Sequence, residues 1–468
     1  MALTADLQST LTAIVGSGFA RTDDAARLAY GTDALLRGVP ADLVLLPADT
    51  AQVSAVARVC DTHGVPLVVR GAGTGYTGGA VPLRGGVVVS MERFDRILEI
   101  DEASLLAVVQ PNVITATLQD AVEARGLFYP PDPASLRRSA IGGNVAECAG
   151  GPRAVKYGTT KRYVLGLEAV LPGGDVVRTG SKAVKNVVGY DLTQLLVGSE
   201  GTLAIITEVI LRLVPKPPVQ ATLGATFRDI PTAVDAVTRL LRAGVVPATI
   251  ELIDEESLRA VERHLGRRLA AEGTGAMLIV EVDGVPAAVE EEAGRVAAAC
   301  HDAGALSVDR AATAAERDAI WEARRELSFA LRALAPRKIN HDLVVPRGRI
   351  PALFDLIAGV RQRHGLLIPC FGHAGDGNIH VNLMVDPANA DEMRRAAAAE
   401  RELFEGAVAL EGSISGEHGI GFAKAPFIGL ELSPETIALM KRVKAAFDPN
   451  GILNPGKIFP PDEQGPGV

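Results

Sequence analysis

Pro66-Leu-Val-Val-Arg-Gly-Ala-Gly-Thr-Gly-Tyr-Thr-Gly-Gly-Ala-Val-Pro-Leu-Arg-Gly-Gly86 is the stretch around which the rest of the chain is organised. Gly71, Gly73, Gly75, Gly78 and Gly79 stand between an apolar strand, Leu67 to Val69, and another, Val87 to Val89. Glycine at this density destabilises any regular element through conformational entropy, so the loop needs backbone that bends through positive φ and approaches something closely. Consecutive N–H groups in such a loop form an anion-binding nest, and a pyrophosphate is the anion expected there. A Gly-x-Gly-x-x-Gly pattern runs from Gly73 to Gly78, but Pro82, Gly85-Gly86 and a strand follow it, so no helix opens behind the glycines. That context excludes the doubly wound nicotinamide-binding fold, in which a helix N-terminus faces the phosphates.

Working outward, the 468 residues suffice for two or three domains. Hydrophobic residues at 48% and charged ones at 22% exclude a disordered chain. A net charge of −9 without a basic patch excludes a nucleic-acid partner. Met1-Ala-Leu-Thr-Ala-Asp6 lacks the basic and apolar regions of a signal peptide. No apolar run reaches the roughly 18 residues of a membrane span, so a soluble cytoplasmic protein is expected, peripheral to a membrane only through a partner. Cys60, Cys148, Cys300 and Cys370 are scattered. Their spacing suits a reducing compartment and excludes an iron–sulfur cluster in this chain.

Asp42 to Leu46 reads as a strand, and Thr50 to His63 as a helix with an Asp49/Gln52 capping box and a stop at Gly64. With Leu67 to Val69 this makes a β-α-β unit that presents the glycine loop at a strand's carboxyl end. Strand Leu105 to Val109 and helix Ile114 to Arg125 precede a stretch poor in regular signals, Leu127 to Val164. A hairpin, Leu167 to Val177, and strand Leu203 to Leu213 complete the first domain. Pro215-Lys-Pro-Pro218 marks a boundary. Beyond it, Ala221 to Phe227, Pro231 to Ala243 and Thr249 to Ile253 form one strand-helix-strand unit, and Met277 to Val282, Ala287 to Ala303 and Leu306 to Asp309 a second. This alternation predicts an α+β domain with an antiparallel sheet and helices on one face. Phe447 to Lys457 reads as turn chemistry rather than core, and the last residues as a disordered tail.

Two short motifs carry chemistry. In Phe371-Gly-His-Ala-Gly-Asp-Gly-Asn-Ile-His-Val-Asn382, a two-residue turn at Asp376-Gly377 would set His373 directly opposite His380 on one face, with Asn382 on the same side. Two such imidazoles suit one metal ion. The glycine-flanked Ser415-Gly-Glu-His-Gly419 offers Glu417-His418 for a third ligand. A single histidine would read as a hydrogen-bonded core side chain; three of eight histidines in two glycine-rich motifs favour a metal. A histidine and carboxylate set without thiolate fits zinc, with manganese, iron and cobalt open. In the helix predicted over Ala314 to Ala335, capped by Thr313 and Glu316, an apolar stripe holds Ile320, Leu327, Leu331 and Leu334. At ~100° per residue, Arg324 falls about 40° from Ile320 and Arg325 about 140°. An arginine on the buried side needs an anionic partner, and its fork suits a carboxylate.

Arg70 to Gly79, Pro130-Pro-Asp-Pro-Ala-Ser135, Ile141-Gly-Gly-Asn-Val-Ala146, Gly198-Ser-Glu-Gly-Thr-Leu203 and Asn454-Pro-Gly-Lys457, in this order, resemble the flavin oxidoreductases named after vanillyl-alcohol oxidase and p-cresol methylhydroxylase. Within them the match is to the branch with D-lactate dehydrogenases, D-2-hydroxyglutarate dehydrogenases and the D subunit of glycolate oxidase. The resemblance spans nearly the whole chain and implies an α+β protein. Its parts would be a two-part FAD-binding domain of the p-cresol methylhydroxylase type (1–216), a substrate and metal-binding cap (217–424), a segment returning to the FAD domain (425–460) and the tail (461–468). The implied FAD contacts are Arg70, Gly71, Ala72, Gly73, Thr74, Gly75, Tyr76, Thr77, Gly78 and Gly79; Pro131, Asp132, Ser135, Gly142, Gly143 and Asn144; Glu200, Gly201 and Ile206; and Asn454 and Lys457 near the isoalloxazine. FAD is expected to be non-covalent, because the loop has Tyr76 and Thr77 where many relatives carry a linking histidine. The resemblance also makes His373, His380 and Glu417 ligands of a divalent metal, His418 the base, Arg324 the carboxylate anchor with Ser328 beside it, and Asn382 part of the catalytic set. The family's further lysine has no firm counterpart, since Lys338 and Asn340 both lie nearby. The implied activity is oxidation of a small D-2-hydroxy acid, with electrons passed to a protein acceptor or quinone. A homodimer or a complex with an iron–sulfur subunit is the implied assembly. Two alternatives stay open: a flavoenzyme without net redox outcome like alkylglycerone-phosphate synthase, and a non-catalytic flavin subunit.

Overall fold

The computed structural model describes residues 3–460, so the tail expected at 461–468 lies outside the described residues. The chain divides into two compact units, one of residues 1–150, 159–216 and 417–468, the other of 151–158 and 217–416.

The first unit opens with α1 (Ala5–Val15), β1 (Ala20–Arg21) and α2 (Asp24–Tyr30), and continues through β2 (Leu43–Leu45), α3 (Thr50–His63), β3 (Leu67–Arg70) and β4 (Val87–Ser90). The strand order is β1-β2-β4-β3, so β4 lies between the two strands of the expected β-α-β unit and is parallel to both. Leu43, Val44, Leu67, Val87 and Val88 are fully buried, as continuous apolar runs are when both sheet faces are covered. Asp49 caps α3 by accepting from Gln52 N at 2.9 Å, and Gly64 ends it in the left-handed region. The Gln52 side chain reaches Ala48 N, one residue short of closing the expected capping box.

A second sheet follows from β5 (Ile97–Asp101), β6 (Leu106–Val109), α4 (Thr115–Glu123), β7 (Leu127–Phe128), α5 (Ile141–Glu147), α6 (Ala154–Tyr157), β8 (Val164–Val170), β9 (Val176–Gly180), α7 (Leu192–Leu196) and β10 (Ile205–Arg212). The antiparallel order is β5-β6-β10-β8-β9, while β7 pairs with β11 (Val214–Pro215). The stretch expected to lack regular structure thus contains α5 and α6. Gly142-Gly143 hides α5 from any propensity reading, and the helix is held by burial of Ile141, Asn144 and Val145 on one face.

The second unit comprises β12 (Val219–Phe227), α8 (Ile230–Arg242), β13 (Thr249–Asp254), α9 (Glu255–Leu265), β14 (Ala276–Gly284), α10 (Pro286–Asp302), β15 (Ser307–Arg310), α11 (Ala314–Arg332), β16 (Arg337–Val344), α12 (Ile350–His364), β17 (Cys370–His373), β18 (Asn378–Val385) and α13 (Ala390–Ala409). Its seven strands run β15-β12-β14-β13-β17-β18-β16, every neighbouring pair antiparallel. The two strand-helix-strand units interleave, β14 lying between β12 and β13. Helices cover both faces, not one. Helices α9 and α11 pack on Ile253, Ile279, Phe371 and Met384, whereas Phe404 of α13 meets His341 from the opposite face, ring centroids 4.9 Å apart.

Two of the expected boundaries move. Residues 151–158 belong with the second unit because Lys156 Nζ and the Tyr157 hydroxyl both bond Asp283. The return begins at Glu417 instead of 425: Gly416 N still donates to Asp342 O at 3.1 Å, whereas Ile420 and Gly421 bond Glu200. The returning segment forms α14 (Ile428–Glu431) and α15 (Pro434–Phe447). The turn behind it is core after all. Asp448 accepts from Ile452 N at 3.0 Å and Leu453 N at 2.8 Å, and with these amides satisfied both side chains join Leu43, Leu67 and Val87 in one buried cluster.

Candidate functional site

In the first unit the glycine loop leaves β3 at Arg70, whose Nη1 donates back to the carbonyls of Tyr30 (3.1 Å) and Thr32 (2.6 Å). Gly73 and Gly78 take φ of +66° and +82°. A Cβ on Gly73 would overlap the Arg70 guanidinium, and one on Gly78 the Phe422 ring. Among the described residues, no hydrogen bond runs from an amide N–H of residues 72–79. A run of amides without internal acceptors, beside a cavity of about 240 Å³ lined by Tyr30, Arg70, Gly71, Glu92 and Asn112, fits the diphosphate of a dinucleotide.

The neighbouring candidates mostly shape this loop. The Thr77 carbonyl accepts from Phe422 N (3.1 Å) and Ala423 N (3.2 Å), and its hydroxyl donates to His418 O at 3.1 Å. The rings of Tyr76 and His418 lie 5.3 Å apart. Glu200, at φ +51°, accepts from Ile420 N and Gly421 N at 2.7 Å each, and burial pushes its carboxyl up. Asn454 Nδ2 donates to the carbonyls of Gly79 and Glu200, both at 2.8 Å. Lys457 Nζ donates to Val81 O (2.6 Å) and Asn454 Oδ1 (3.0 Å), and burial pulls it down to about 8. Gln119 Nε2 fixes the Pro131 carbonyl at 2.9 Å, and Asn144 Nδ2 bonds Thr115 Oγ1 at 2.7 Å. The Ser135 carbonyl accepts from Arg138 N and Ser139 N. Asp132 is half-buried and Ile206 is a buried residue of β10. A Cβ on Gly142 would overlap Pro111, whereas Gly143 has open space around it.

In the second unit the register corrects the expected histidine pairing. Four residues, Ala374 to Gly377, connect β17 and β18, closed by Gly377 N donating to His373 O at 3.0 Å. His373 therefore faces Asn378, and His380 faces Phe371. The shift is two residues, which preserves side-chain parity. The imidazoles remain on one face as diagonal neighbours, ring centroids 5.2 Å apart. Glu417 follows directly on Gly416, and His373, His380 and Glu417 each offer a ligand atom, all within 4.8 Å of one another. Two histidines and one carboxylate are a donor set that fits a divalent ion.

The same face carries a row of polar groups. Glu251 of β13 stands opposite His373, Asn340 opposite Asn382, and Lys338 opposite Met384. Glu251 is fully buried and bonds both His373 Nδ1 and Arg324 Nε. Burial alone would push its carboxyl up, but His373 and Arg324 together hold it at about 2. Arg324 lies on the covered side of α11 with its guanidinium 4.7 Å from the Phe371 ring centroid, while Arg325 is exposed. The anionic partner demanded by its burial is thus Glu251. Lys338 Nζ meets Ser328 Oγ at 3.2 Å; burial first, then Arg332 and Arg324, pulls it down to about 8. Asn340 Nδ2 donates to Asn382 Oδ1 at 2.7 Å, and Asn382 Nδ2 to Pro369 O at 3.0 Å. Glu251 escaped the sequence reading, although one charge inside the apolar run Thr-Ile-Glu-Leu-Ile253 is itself a signal, since a buried charge requires partners.

Residues 41–180 match the FAD binding domain family, and residues 216–458 match FAD linked oxidases, C-terminal domain. The glycolate oxidase subunit GlcD of Bacillus subtilis is 44% identical over 98% of both chains. A D-lactate dehydrogenase of Anaerostipes hadrus is 35% identical over 87% of each. A crystal structure of p-cresol methylhydroxylase with substrate bound shares the fold at TM-score 0.82 and 17% identity, covering 97% of this chain and 96% of that one. With a nest of free amides in one unit and both family signatures along its length, the chain belongs to the FAD-linked oxidases and is a FAD-dependent oxidoreductase.

Proposed function

We propose that this protein is a dehydrogenase that oxidises a small D-2-hydroxy acid, glycolate or D-lactate in the first instance, to the 2-oxo acid. The observation that carries this reading is the single sheet face on which Arg324 and Lys338 supply positive charge beside His373 and His380. The names of the similar proteins point to the same substrate class.

Arg324 binds the substrate carboxylate through the edge of its guanidinium not engaged by Glu251, with Lys338 and Ser328 alongside. His373, His380 and Glu417 hold a divalent ion, zinc by their donor chemistry, which supplies a Lewis acid that lowers the pKa of the substrate hydroxyl. His418 removes the hydroxyl proton as general base, with its carbonyl fixed by Thr77. Asn382 is held by Asn340 and Pro369 and orients the hydroxyl end. FAD, when bound, supplies the acceptor for the hydride leaving the α-carbon. It is held non-covalently, because residues 71–79 include neither histidine nor cysteine. The four cysteines are scattered and free, so electrons leave through a separate acceptor, a partner protein or a quinone. No helix among the described residues is long and apolar enough to cross a membrane.

The test is turnover of purified protein with an artificial dye, using glycolate, D-lactate, L-lactate and D-2-hydroxyglutarate. Release of a 2-oxo acid from glycolate or the D-acids, with L-lactate far slower, is expected. Equal use of both lactates, or no oxo acid from any member, would overturn the proposal.

A further inference from the structure

The geometry points to Glu251 as a positioning residue that sets His373 and Arg324 at once, so that metal binding and substrate-carboxylate binding depend on one buried side chain. The inference rests on the function proposed above.

Glu251 lies in the middle of β13 and faces His373 across the β13–β17 pair. Its Oε1 meets His373 Nδ1 and its Oε2 meets Arg324 Nε. A carboxylate only accepts, and a neutral imidazole has one N–H. In the neutral ring that binds a metal the proton is therefore on Nδ1, and Nε2 is the nitrogen that can take a cation, the arrangement in which an outer carboxylate orients a metal-binding histidine. On the other side, Glu251 takes the Nε edge of Arg324, leaving the Nη pair for an end-on carboxylate. Phe371, under the guanidinium, fixes its plane. Among the described residues, Glu251 is the one acid paired with Arg324. Removing charges from water offsets most of what their attraction contributes, so a buried triad is a poor stabilising device, and its placement between two binding groups indicates a positioning role.

Glu251→Gln preserves volume but leaves one acceptor oxygen for two donors. Asp254→Asn is the control: Asp254 is a buried carboxylate on the same strand that bonds the backbone amides of Ser257 and Cys370. In the full-length FAD-loaded protein, Glu251→Gln is expected to weaken zinc binding, measured by competition with a chelator, by about 10- to 100-fold. It should also raise KM for D-lactate more than it lowers kcat. Asp254→Asn should lower the melting temperature and leave zinc affinity and KM unchanged. Unaltered zinc affinity and KM in a folded, flavin-loaded Glu251→Gln protein would overturn the inference. Nitrogen NMR of wild-type protein gives a check that needs no variant: His373 should carry a proton on Nδ1, and a neutral ring protonated on Nε2 alone overturns it. A wild type that turns over without binding any divalent ion would instead overturn the metal assignment, and the KM and tautomer readouts would still decide the role of Glu251.

Discussion

The glycine loop and the polar sheet face both gather groups that bind charge, but from opposite materials. Residues 72–79 offer main-chain amides with no acceptor among the described residues, and their side chains contribute little beyond allowing close approach. The sheet face offers side chains from β13, β16, β17, β18 and α11, each held by another side chain. A site made of backbone is local in sequence and is damaged by adding a side chain; a site made of side chains is dispersed and is damaged by removing one.

That contrast is sharpest at the metal ligands. His373→Ala or His380→Ala should remove the bound ion and lower turnover by more than the ~100-fold seen for outer-shell losses, while flavin stays bound. Elemental analysis and flavin absorbance on the same sample check this. Loss of flavin together with the ion would break the separation of the two sites. In the glycine loop the reverse change is the damaging one. Gly78→Ala should cost flavin occupancy, because an alanine at φ +82° costs roughly 1 to 2 kcal/mol and its Cβ would overlap the Phe422 ring. Thr74→Ala should retain flavin. If Thr74→Ala lost as much as Gly78→Ala, the loop would be a side-chain site like the other.

The same contrast explains what was legible beforehand. The loop, the flanking strands and α3 could be read because their signals lie within a few residues, Gly73 to Gly78 and Asp49 to Gly64. The capped helix at Thr313 and the antiparallel alternation of the second unit were equally local. Helix α5 was not legible, since Gly142-Gly143 masks it and tertiary burial makes it. Glu251 pairs with residues far along the chain, and nothing near position 251 announces His373 or Arg324. The placement of both histidines on one face survived an incorrect register only because the turn is longer by two residues and not by one.

Arg324 and Arg325 test the side-chain site from one helix. Arg324→Lys keeps the charge but loses the planar fork, including its bond to Glu251. With a charge-assisted hydrogen bond at roughly 1.5 to 3 kcal/mol, kcat/KM should fall about tenfold to a hundredfold. Arg325→Lys, exposed and bonded to the Asp318 carbonyl, should change it little. Similar effects from both would remove the distinction between the two faces of α11.

The smallest expected effect separates the two regions by the sign of a stability change. Lys338 is half-buried and its ammonium is pulled down to about 8 from an ordinary 10.5, by burial first and by Arg332 and Arg324 next. Below pH 8 both the folded and unfolded chains hold this proton, so the full cost of placing the charge there is present. Between about 8 and 10.5 the unfolded chain binds more protons than the folded one, and stability rises with pH. Above 10.5 the cost is gone. At ~1.36 kcal/mol per unit, the penalty is at most on the order of 3 kcal/mol, reduced by solvent reaching the half-buried group. Lys338→Met should therefore raise the melting temperature by a few degrees at pH 7, with the gap closing towards pH 10, while kcat/KM falls because a carboxylate contact is lost. No substitution in the glycine loop should stabilise in this way, since its backbone carries no buried charge to relieve. A Met variant less stable than wild type at pH 7, or a gap that does not change with pH, would show that Lys338 sits at no electrostatic cost and that the two regions do not differ in this respect.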